Sequence, residues 1–377
     1  MQGALKNGRN VLDWINMPQT EFDGHIIGIR EAMKKETLDL LLIYGYAFDS
    51  YGDVAYVTNF IPRLPRGALV ALPIKGQPAL FFDGSSRGIP SFKKTVSDAD
   101  VIAVSDMVKD SIKYLTDRNL LQGRIGMVGL RQLMPYAQFT TLKEALSGCT
   151  VTEAKSIVAD RRLLKSTREQ DEIRRASRIL HEIFEGVRGF SFPSLDEHSI
   201  QAFLYREARF SGAEDVRALV GKAIGEDWYL GPAEKKTIDE GQTVSLYLAV
   251  EFERYWAEAA RTFRVENGLL VPADQVFEEA FRESAEAVKA GKTGSEVYGS
   301  IVQTLKTGGF EPLTAYGLGY GIGLSPEEPP RIAKEDSTRL IEGMTIALHL
   351  IVKSKNAGVL MKGETFLVTG AAPVALT

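Results

Sequence analysis

The segment 241–263, GQTVSLYLAVEFERYWAEAARTF, constrains the fold of this chain more than any other stretch. Apolar side chains alternate with small or polar ones in its first half, and the alternation resumes after a turn at Glu251–Glu253, which predicts two strands joined as a hairpin. One face of the second strand carries Trp256, Glu258, Ala260 and Thr262. Together with Tyr247 on the first strand, this face indicates a pocket lined by a carboxylate and aromatic rings. The alternative is an amphipathic hairpin with a solvated Glu258.

The same segment resembles the first metal-binding hairpin of the creatinase, prolidase, aminopeptidase P and methionine aminopeptidase superfamily, which has the pita-bread fold. The pattern of that hairpin is similar to GDLVLIDLGAEYEGYCSDITRTF, with two aspartate ligands. This chain keeps the frame, from Gly241 through Tyr255 to the closing Arg-Thr-Phe of 261–263. The two ligand positions hold Tyr247 and Glu258 instead.

Three later segments extend the resemblance. YGLGYGIGLSPEEPP is similar to the pattern HGxGHGIGLxxHExP, and the three histidines of that pattern fall on Tyr316, Tyr320 and Glu327. GMTIALH resembles GMVFTIE, and the ligand glutamate falls on His349. In the last segment, GETFLVT, the final ligand position falls on Gly363 or on Lys362, depending on the alignment, with Glu364 alongside.

The resemblance implies a site for two metal ions, but the residues at these positions do not suit one. A two-metal centre needs several carboxylates to neutralise two dications. We therefore expect no metal and no other cofactor. A single ion on Glu258 and His349, with Glu327, is the alternative.

The chain of 377 residues is long enough for two domains. Helix and strand signals alternate over residues 20–155, including a predicted strand at Val54–Phe60, which predicts an α/β domain with a mixed sheet. We expect this N-terminal domain at residues 1–158 and an α+β pita-bread domain of the catalytic type at 159–377. We also expect a homodimer, with the N-terminal domain as a scaffold and dimerisation domain. The alternative is that its loops cap the pocket of the partner, because loops carry binding groups on a rigid frame, with these candidates: Tyr46, Asp49, Tyr51, Arg63 and Arg66.

Composition excludes several classes of partner. The net charge of −4 provides no electrostatic field for nucleic acid or for an anionic membrane surface. No run of residues approaches the ~20 apolar side chains of a membrane span, and residues 1–14 lack the apolar core of a signal peptide. The single cysteine, Cys149, is typical of a protein in a reducing cytoplasm, so we expect a cytoplasmic location. With nucleic acid and membranes excluded as partners, we expect a small-molecule substrate.

Tyrosine, glutamate and histidine can all donate or accept protons, and this favours catalysis by side chains. We expect a metal-independent hydrolase or lyase for a small aromatic or planar substrate, and not a metallopeptidase. His349 or Glu258 is the candidate general base, and Tyr247 and Tyr320 are candidate donors to an oxyanion. Hydrolysis of a C–N bond and cleavage of a C–C bond both remain open. The alternative is a catalytically silent binding protein for a peptide, a protein or a small molecule.

Six further residues are candidates for substrate binding. In the hydrolases of this superfamily a histidine stands in the loop before the ligand hairpin, where this chain has Leu230. The neighbouring aromatic residues predict an aromatic wall, and the polar candidates lie beside the altered ligand positions. The full set is Trp228, Tyr229, Tyr316, Glu327, Lys362 and Glu364.

Overall fold

The computed structural model describes residues 13–47, 50–62, 66–189, 195–224, 227–315 and 317–376. These residues form two compact units, which divide between Arg162 and Leu163. Three of the predicted residues, Asp49, Arg63 and Tyr316, lie outside the described part of the chain. No helix in the described part is long and apolar enough to cross a lipid bilayer.

The first unit is built around a six-stranded sheet with helices from the intervening segments. Its elements are α1 (Gln19–Lys35), β1 (Leu40–Tyr46), α2 (Gly52–Thr58), β2 (Gly67–Pro73), β3 (Ala79–Asp83), a 3₁₀ turn (Ser86–Gly88), α3 (Ile89–Phe92), β4 (Asp100–Val104), α4 (Met107–Asp117), β5 (Arg124–Val128), α5 (Leu130–Leu133), α6 (Tyr136–Ala145), β6 (Thr150–Glu153) and α7 (Lys155–Leu163). The strand order is β4-β3-β2-β1-β5-β6. Only β2 runs against its neighbours, so the sheet is mixed.

The structure contradicts one element prediction in this unit. The segment predicted as a strand at Val54–Phe60 forms helix α2, which ends at Asn59 in the left-handed conformation. All residues of this helix except Asp53 are buried, so the apolar run carries no helical period. A short apolar run of this kind cannot be assigned to a helix or a strand by periodicity alone.

The second unit contains a sheet of eleven strands. Its elements are α8 (Thr167–Gly189), α9 (Glu197–Phe210), β7 (Asp215–Ile224), β8 (Asp227–Gly231), β9 (Thr243–Phe252), β10 (Tyr255–Glu266), β11 (Leu269–Pro272), α10 (Gln275–Ala285), α11 (Gly294–Thr307), β12 (Glu311–Pro312), β13 (Gly319–Gly321), β14 (Glu328–Arg331), β15 (Thr345–Ser354), β16 (Gly358–Leu367) and β17 (Val374–Ala375). The main strand order is β14-β13-β15-β16-β10-β9-β7-β8.

Helices cover one side of this sheet. Helix α8 packs against β9 and β10, and α10 packs against β16 and α11. The core between α10, α11 and β15 is apolar, with Phe281, Ile301 and Leu348 almost fully buried. Burying such a face excludes water from one side of the sheet and leaves the other side to present the polar residues of β9, β10 and β15.

The predicted hairpin is present as β9 and β10. Phe252 pairs with Tyr255, so the connection contains only Glu253 and Arg254. Their φ angles are 47° and 74°, which is the left-handed conformation that a two-residue hairpin turn of type I′ requires. This register fixes which residues of the two strands share a face.

Candidate active site

The hairpin places Glu258 in a row of small residues. Ala249 lies opposite Glu258, and Tyr247 lies opposite Ala260, so these four side chains share one face of the sheet. Glu258 is 1% exposed. The sequence predicted this face correctly, because successive side chains of a strand alternate between the two sides.

Strand β16 joins β10 through only one residue pair, Ala260 with Gly363. On either side of that pair, a threonine hydroxyl takes the place of backbone pairing. Thr365 Oγ1 accepts from Glu258 N at 3.0 Å and donates to Glu258 O at 2.9 Å. Thr262 Oγ1 binds the other strand in the same manner, at 2.7 Å from Met361 N and 3.0 Å from Met361 O. Two buried hydroxyl groups therefore hold the strands together at the site.

His349 and Tyr320 reach Glu258 from the two strands beyond β16. His349 is on β15, where it lies opposite Gly363 of β16. Tyr320 is on β13, where it lies opposite Ala347 of β15. A Cβ atom on Gly363 would lie 3.2 Å from Leu348 O and 3.3 Å from Ala260 Cβ, so the strands approach closely there. This close approach brings the imidazole of His349 next to the carboxylate of Glu258.

Three side chains form hydrogen bonds with the Glu258 carboxylate. The hydroxyl groups of Tyr247 and Tyr320 both donate to Oε2, each at 2.7 Å. His349 Nδ1 lies 3.0 Å from Oε1. Each phenol has one proton to donate, and the ring nitrogen completes the set when it carries a hydrogen. In this arrangement Glu258 is the acceptor for all three side chains.

Burial and the neighbouring carboxylate keep both phenols protonated. Desolvation, followed by the charge of Glu258, raises the pKa of Tyr247 well above its ordinary value of 10.0. The same two causes, with the proximity of Tyr247, raise the pKa of Tyr320. Both residues are consequently hydrogen-bond donors over the whole physiological pH range.

Only one ring nitrogen of His349 forms a hydrogen bond with a described residue. Nδ1 faces Glu258, whereas Nε2 forms no hydrogen bond with any residue that the structure describes. The side chain is 7% exposed and lies beside the ring of Tyr320, with 5.0 Å between the ring centroids. An imidazole oriented through one nitrogen and free at the other has the arrangement that a general base requires.

Apolar side chains surround the cluster on two sides. Trp228, Leu230 and Tyr247 pack with Ala260 and Met361 on the β8 side. Trp256, which is fully buried, packs with Ala249, Ala347 and Ile322 on the other side. Trp228 is thus placed where the sequence predicted an aromatic wall.

The structure does not bring the other predicted binding residues to Glu258. Tyr229 lies next to Trp228 on β8 and therefore points to the opposite face. Lys362 and Glu364 flank Gly363, so they too lie on the opposite face, where Lys362 pairs with Glu278 and Glu364 with Arg261. Glu327 is exposed and pairs with Arg331.

The role predicted for the two tyrosines also differs from their placement. Tyr247 and Tyr320 were expected to bind an oxyanion, but their hydroxyl protons are donated to Glu258. Two residues at the site were not selected from the sequence. Thr365 forms hydrogen bonds with the backbone of Glu258. Arg217 on β7 lies opposite Ala249 of β9. The strand period of β7 could have placed Arg217 on the site face if the register had been known.

Comparisons with known proteins agree with the architecture. The chain matches metallopeptidase family M24 over residues 171–370, more than half of its length, and the creatinase/prolidase N-terminal domain over 26–164. An Xaa-Pro dipeptidase from Pyrococcus furiosus is 26% identical over 64% of this chain and 71% of the relative. The prolidase structure from Pyrococcus horikoshii superposes with a TM-score of 0.76 at 22% identity, covering 94% of this chain and 98% of that chain. The X-Pro aminopeptidase structure from Thermotoga maritima gives a TM-score of 0.77 at 20% identity, covering 93% and 97%.

These comparisons confirm the predicted fold class, an α/β domain followed by a pita-bread domain. They contradict the predicted functions. The expectation of a metal-independent hydrolase or lyase outside the metallopeptidases is wrong, and so is the alternative of a silent binding protein, because the matches are to peptidases. Those expectations rested on a few aligned positions, whereas the similarity to peptidases extends along most of the chain.

Proposed function

Because this chain belongs to metallopeptidase family M24, we propose that it is a peptidase that hydrolyses the amide bond of a small peptide at the Glu258 cluster. The observation that carries the proposal is the hydrogen bond from His349 to a buried carboxylate on the β10 strand. The dipeptidase relatives favour dipeptides as substrates, with an Xaa-Pro bond as the first candidate.

In this proposal His349 is the general base, and Glu258 orients it. Both oxygens of Glu258 already accept hydrogen bonds, so its lone pairs are less available than Nε2 of His349. Nε2 takes a proton from water as the water oxygen bonds to the amide carbon. The same proton passes to the amide nitrogen when the C–N bond breaks. The carboxylate of Glu258 stabilises the imidazolium that exists between these two transfers.

Tyr247 and Tyr320 hold the side chain of Glu258 by donating to one of its carboxylate oxygens. Two phenol donors on one carboxylate oxygen stabilise the charge, and both phenols stay protonated because their pKa values are raised. They also fix the direction of the carboxylate, which in turn fixes the ring of His349. The function of the tyrosines is therefore to position Glu258 and His349.

The family name implies metal ions, and we propose that the usual ligand positions hold Tyr247, Glu258, Tyr320, His349 and Gly363 here. The resident side chains do not fit a two-metal centre. Among the described residues, Glu258 is the only carboxylate in the hydrogen-bonded cluster, and its oxygens accept from three side chains. Among the described residues of this unit, no group of three acidic, histidine or cysteine side chains surrounds Glu258 closely enough to hold an ion. Two dications would need several more carboxylates.

The test is hydrolysis of a panel of Xaa-Pro and other dipeptides by the purified protein. Each peptide is assayed with added divalent cations and, separately, with a chelator. Hydrolysis of the amide bond under either condition supports the proposal. We expect release of the free amino acids by the wild-type protein and by H198A, which changes an exposed histidine hydrogen-bonded to Ala233 O. Absence of hydrolysis for every peptide under every condition contradicts the proposal.

Two expectations from the sequence remain proposals. A cytoplasmic location is supported by the single cysteine, Cys149. A homodimer is supported by the resemblance to the prolidase and creatinase superfamily. Sedimentation of the purified protein at several concentrations tests the second proposal.

A further inference from the structure

An arginine lies on the same face of the sheet as the Glu258 cluster. Arg217 on β7 pairs with Ala249 on β9, and Ala249 pairs with Glu258 on β10. Residues that lie directly opposite one another in antiparallel strands project from the same face. Arg217, Ala249 and Glu258 therefore form one row across three strands, with the small side chain of Ala249 in the middle.

The guanidinium of Arg217 stacks on the indole of Trp256. The distance from its central carbon to the ring centroid is 4.8 Å. Trp256 is fully buried and lies two residues before Glu258 on the same face of β10. The charge of Arg217 also acts on the phenol of Tyr247, where it opposes the rise in the pKa. These contacts place the positive charge at the site.

Arg217 has no acidic partner within the described part of the chain. No carboxylate there lies within ion-pair distance of its guanidinium, and no hydrogen bond from it to a described residue occurs. The residue is only partly exposed. A cation that is partly removed from water is costly unless it is paired, so an unpaired one beside a reactive cluster indicates a binding role. By contrast, Arg261 on the other face of the sheet pairs with Glu364 at 2.9 Å.

We propose that Arg217 binds a carboxylate of the substrate and so selects peptides with a free C-terminus. This inference rests on the proposed peptidase function. The planar guanidinium presents two parallel N–H donors to a carboxylate, and its charge persists at every working pH. Trp256 holds the plane of the guanidinium and restricts its motion.

The spacing across the strands fits a short peptide. Neighbouring strands lie about 4.8 Å apart, so the backbones of Arg217 and Glu258 are separated by roughly 10 Å. A dipeptide extends about 7 Å, at roughly 3.5 Å per residue. The guanidinium of Arg217 lies over the ring of Trp256, on the same strand as Glu258, so a dipeptide with its carboxylate on Arg217 brings its amide bond within reach of Glu258 and His349. A longer peptide that continues past the carboxylate position would lose this contact.

The test compares dipeptides that have a free C-terminus with the same dipeptides as C-terminal amides. Binding of an Xaa-Pro and Xaa-Ala panel is measured by calorimetry in the H349A background, in which turnover should be slowed by about 10²- to 10⁴-fold. We expect the acids to bind roughly 10- to 100-fold more tightly than the amides, the range for a hydrogen bond to a charged group. R217Q should reduce this ratio to about 2 or less, and R217K should retain part of it.

The matched control is R206Q. Arg206 also stacks on an aromatic ring, that of Phe203 at 5.2 Å, but lies on α9 away from the site. R206Q should keep the wild-type ratio. R217Q loses the contact with Trp256 but no ion pair to a described residue, so we expect it to fold, and R217K serves if R217Q does not fold.

Four outcomes overturn the inference: no acid of the panel binds, acids and amides bind equally, the ratio persists in R217Q, or R206Q removes it. The proposed function is judged separately in the wild-type background. Selective binding of acids through Arg217 without hydrolysis contradicts the peptidase function and supports this inference. Hydrolysis of dipeptides without selective binding of the acids supports the peptidase function and contradicts this inference.

Discussion

The hydroxyl of Thr365 forms two hydrogen bonds with the backbone of one residue, Glu258, at 3.0 Å from its nitrogen and 2.9 Å from its oxygen. Thr365 is completely buried. Because β10 and β16 share only one backbone pair, this hydroxyl sets the position of Glu258 relative to β16. The position of the carboxylate that binds His349 therefore depends on Thr365, a residue of a different strand.

We predict that T365V disturbs the Glu258–His349 pair. Valine keeps the shape of threonine but leaves the N–H and C=O of Glu258 without a partner, which costs about 1–3 kcal/mol for each buried group. The proton on Nδ1 of His349 should give a downfield NMR signal in the wild type that weakens or moves in T365V. T365S should restore it, because serine retains the hydroxyl.

T262V is the matched control for T365V. Thr262 binds the backbone of Met361 in the same way but makes no contact with Glu258. We expect a similar loss of stability in urea unfolding, with the His349 signal retained. If T262V and T365V change that signal equally, Thr365 acts only on the general stability of the sheet.

Stability should fall above pH 10 because of Tyr247 and Tyr320. The pKa of each phenol is raised in the folded protein above its ordinary value of 10.0. Below that pH, both the folded and the unfolded chain keep the proton, so there is no pH dependence. Above it, the unfolded chain releases the proton while the folded chain retains it, and the free energy of unfolding falls by about 1.4 kcal/mol per pH unit for each tyrosine.

Urea unfolding at pH 9, 10 and 11 measures this slope. Y247F removes one of the two phenols, so its stability should fall less steeply with pH than that of wild type. Y136F changes a tyrosine that is 82% exposed and should leave the slope unchanged. Equal slopes for wild type and Y247F would mean that Tyr247 ionises in the folded state as readily as in the unfolded state.

Glu327 and Glu328 are adjacent in sequence but should differ greatly in their contributions to stability. Glu328 forms an ion pair with Lys165 at 2.9 Å, with both side chains almost fully buried. E328Q leaves the charge of Lys165 without its partner, and we expect a loss of about 3–5 kcal/mol. Glu327 pairs with Arg331 at the surface, so E327Q should cost about 1 kcal/mol or less. Thermal unfolding of the two variants measures the difference, and equal losses would contradict it.

Local periodicity was sufficient to predict the face on which Glu258 lies. The alternation around Tyr247 and Glu258 defines the two sides of each strand, because strand geometry has a period of two. His349 and Tyr320 were also selected from the sequence, and the structure places both within hydrogen-bond distance of Glu258. Here local patterns and the tertiary fold agree.

Relationships across strands could not be predicted from the sequence. The hydrogen bond from Tyr320 to Glu258 spans 62 positions, and those from Thr365 span 107. Lys362 and Glu364 were selected although the register puts Gly363, and not its neighbours, on the site face. Arg217 was missed because its position depends on the pairing of β7 with β9. Register is set by the packing of the whole sheet, which a single segment does not reveal.

The most direct test of the account is the turnover of H349A on a dipeptide that the wild-type protein hydrolyses, with and without added imidazole. Removing the proposed base should lower kcat by about 10²- to 10⁴-fold, since general base catalysis contributes that much. Free imidazole can enter the space left by the side chain and accept the proton, so it should restore part of the activity in H349A but none in E258Q. If H349A turns over within tenfold of wild type and does not respond to imidazole, His349 is not the base and the account is contradicted.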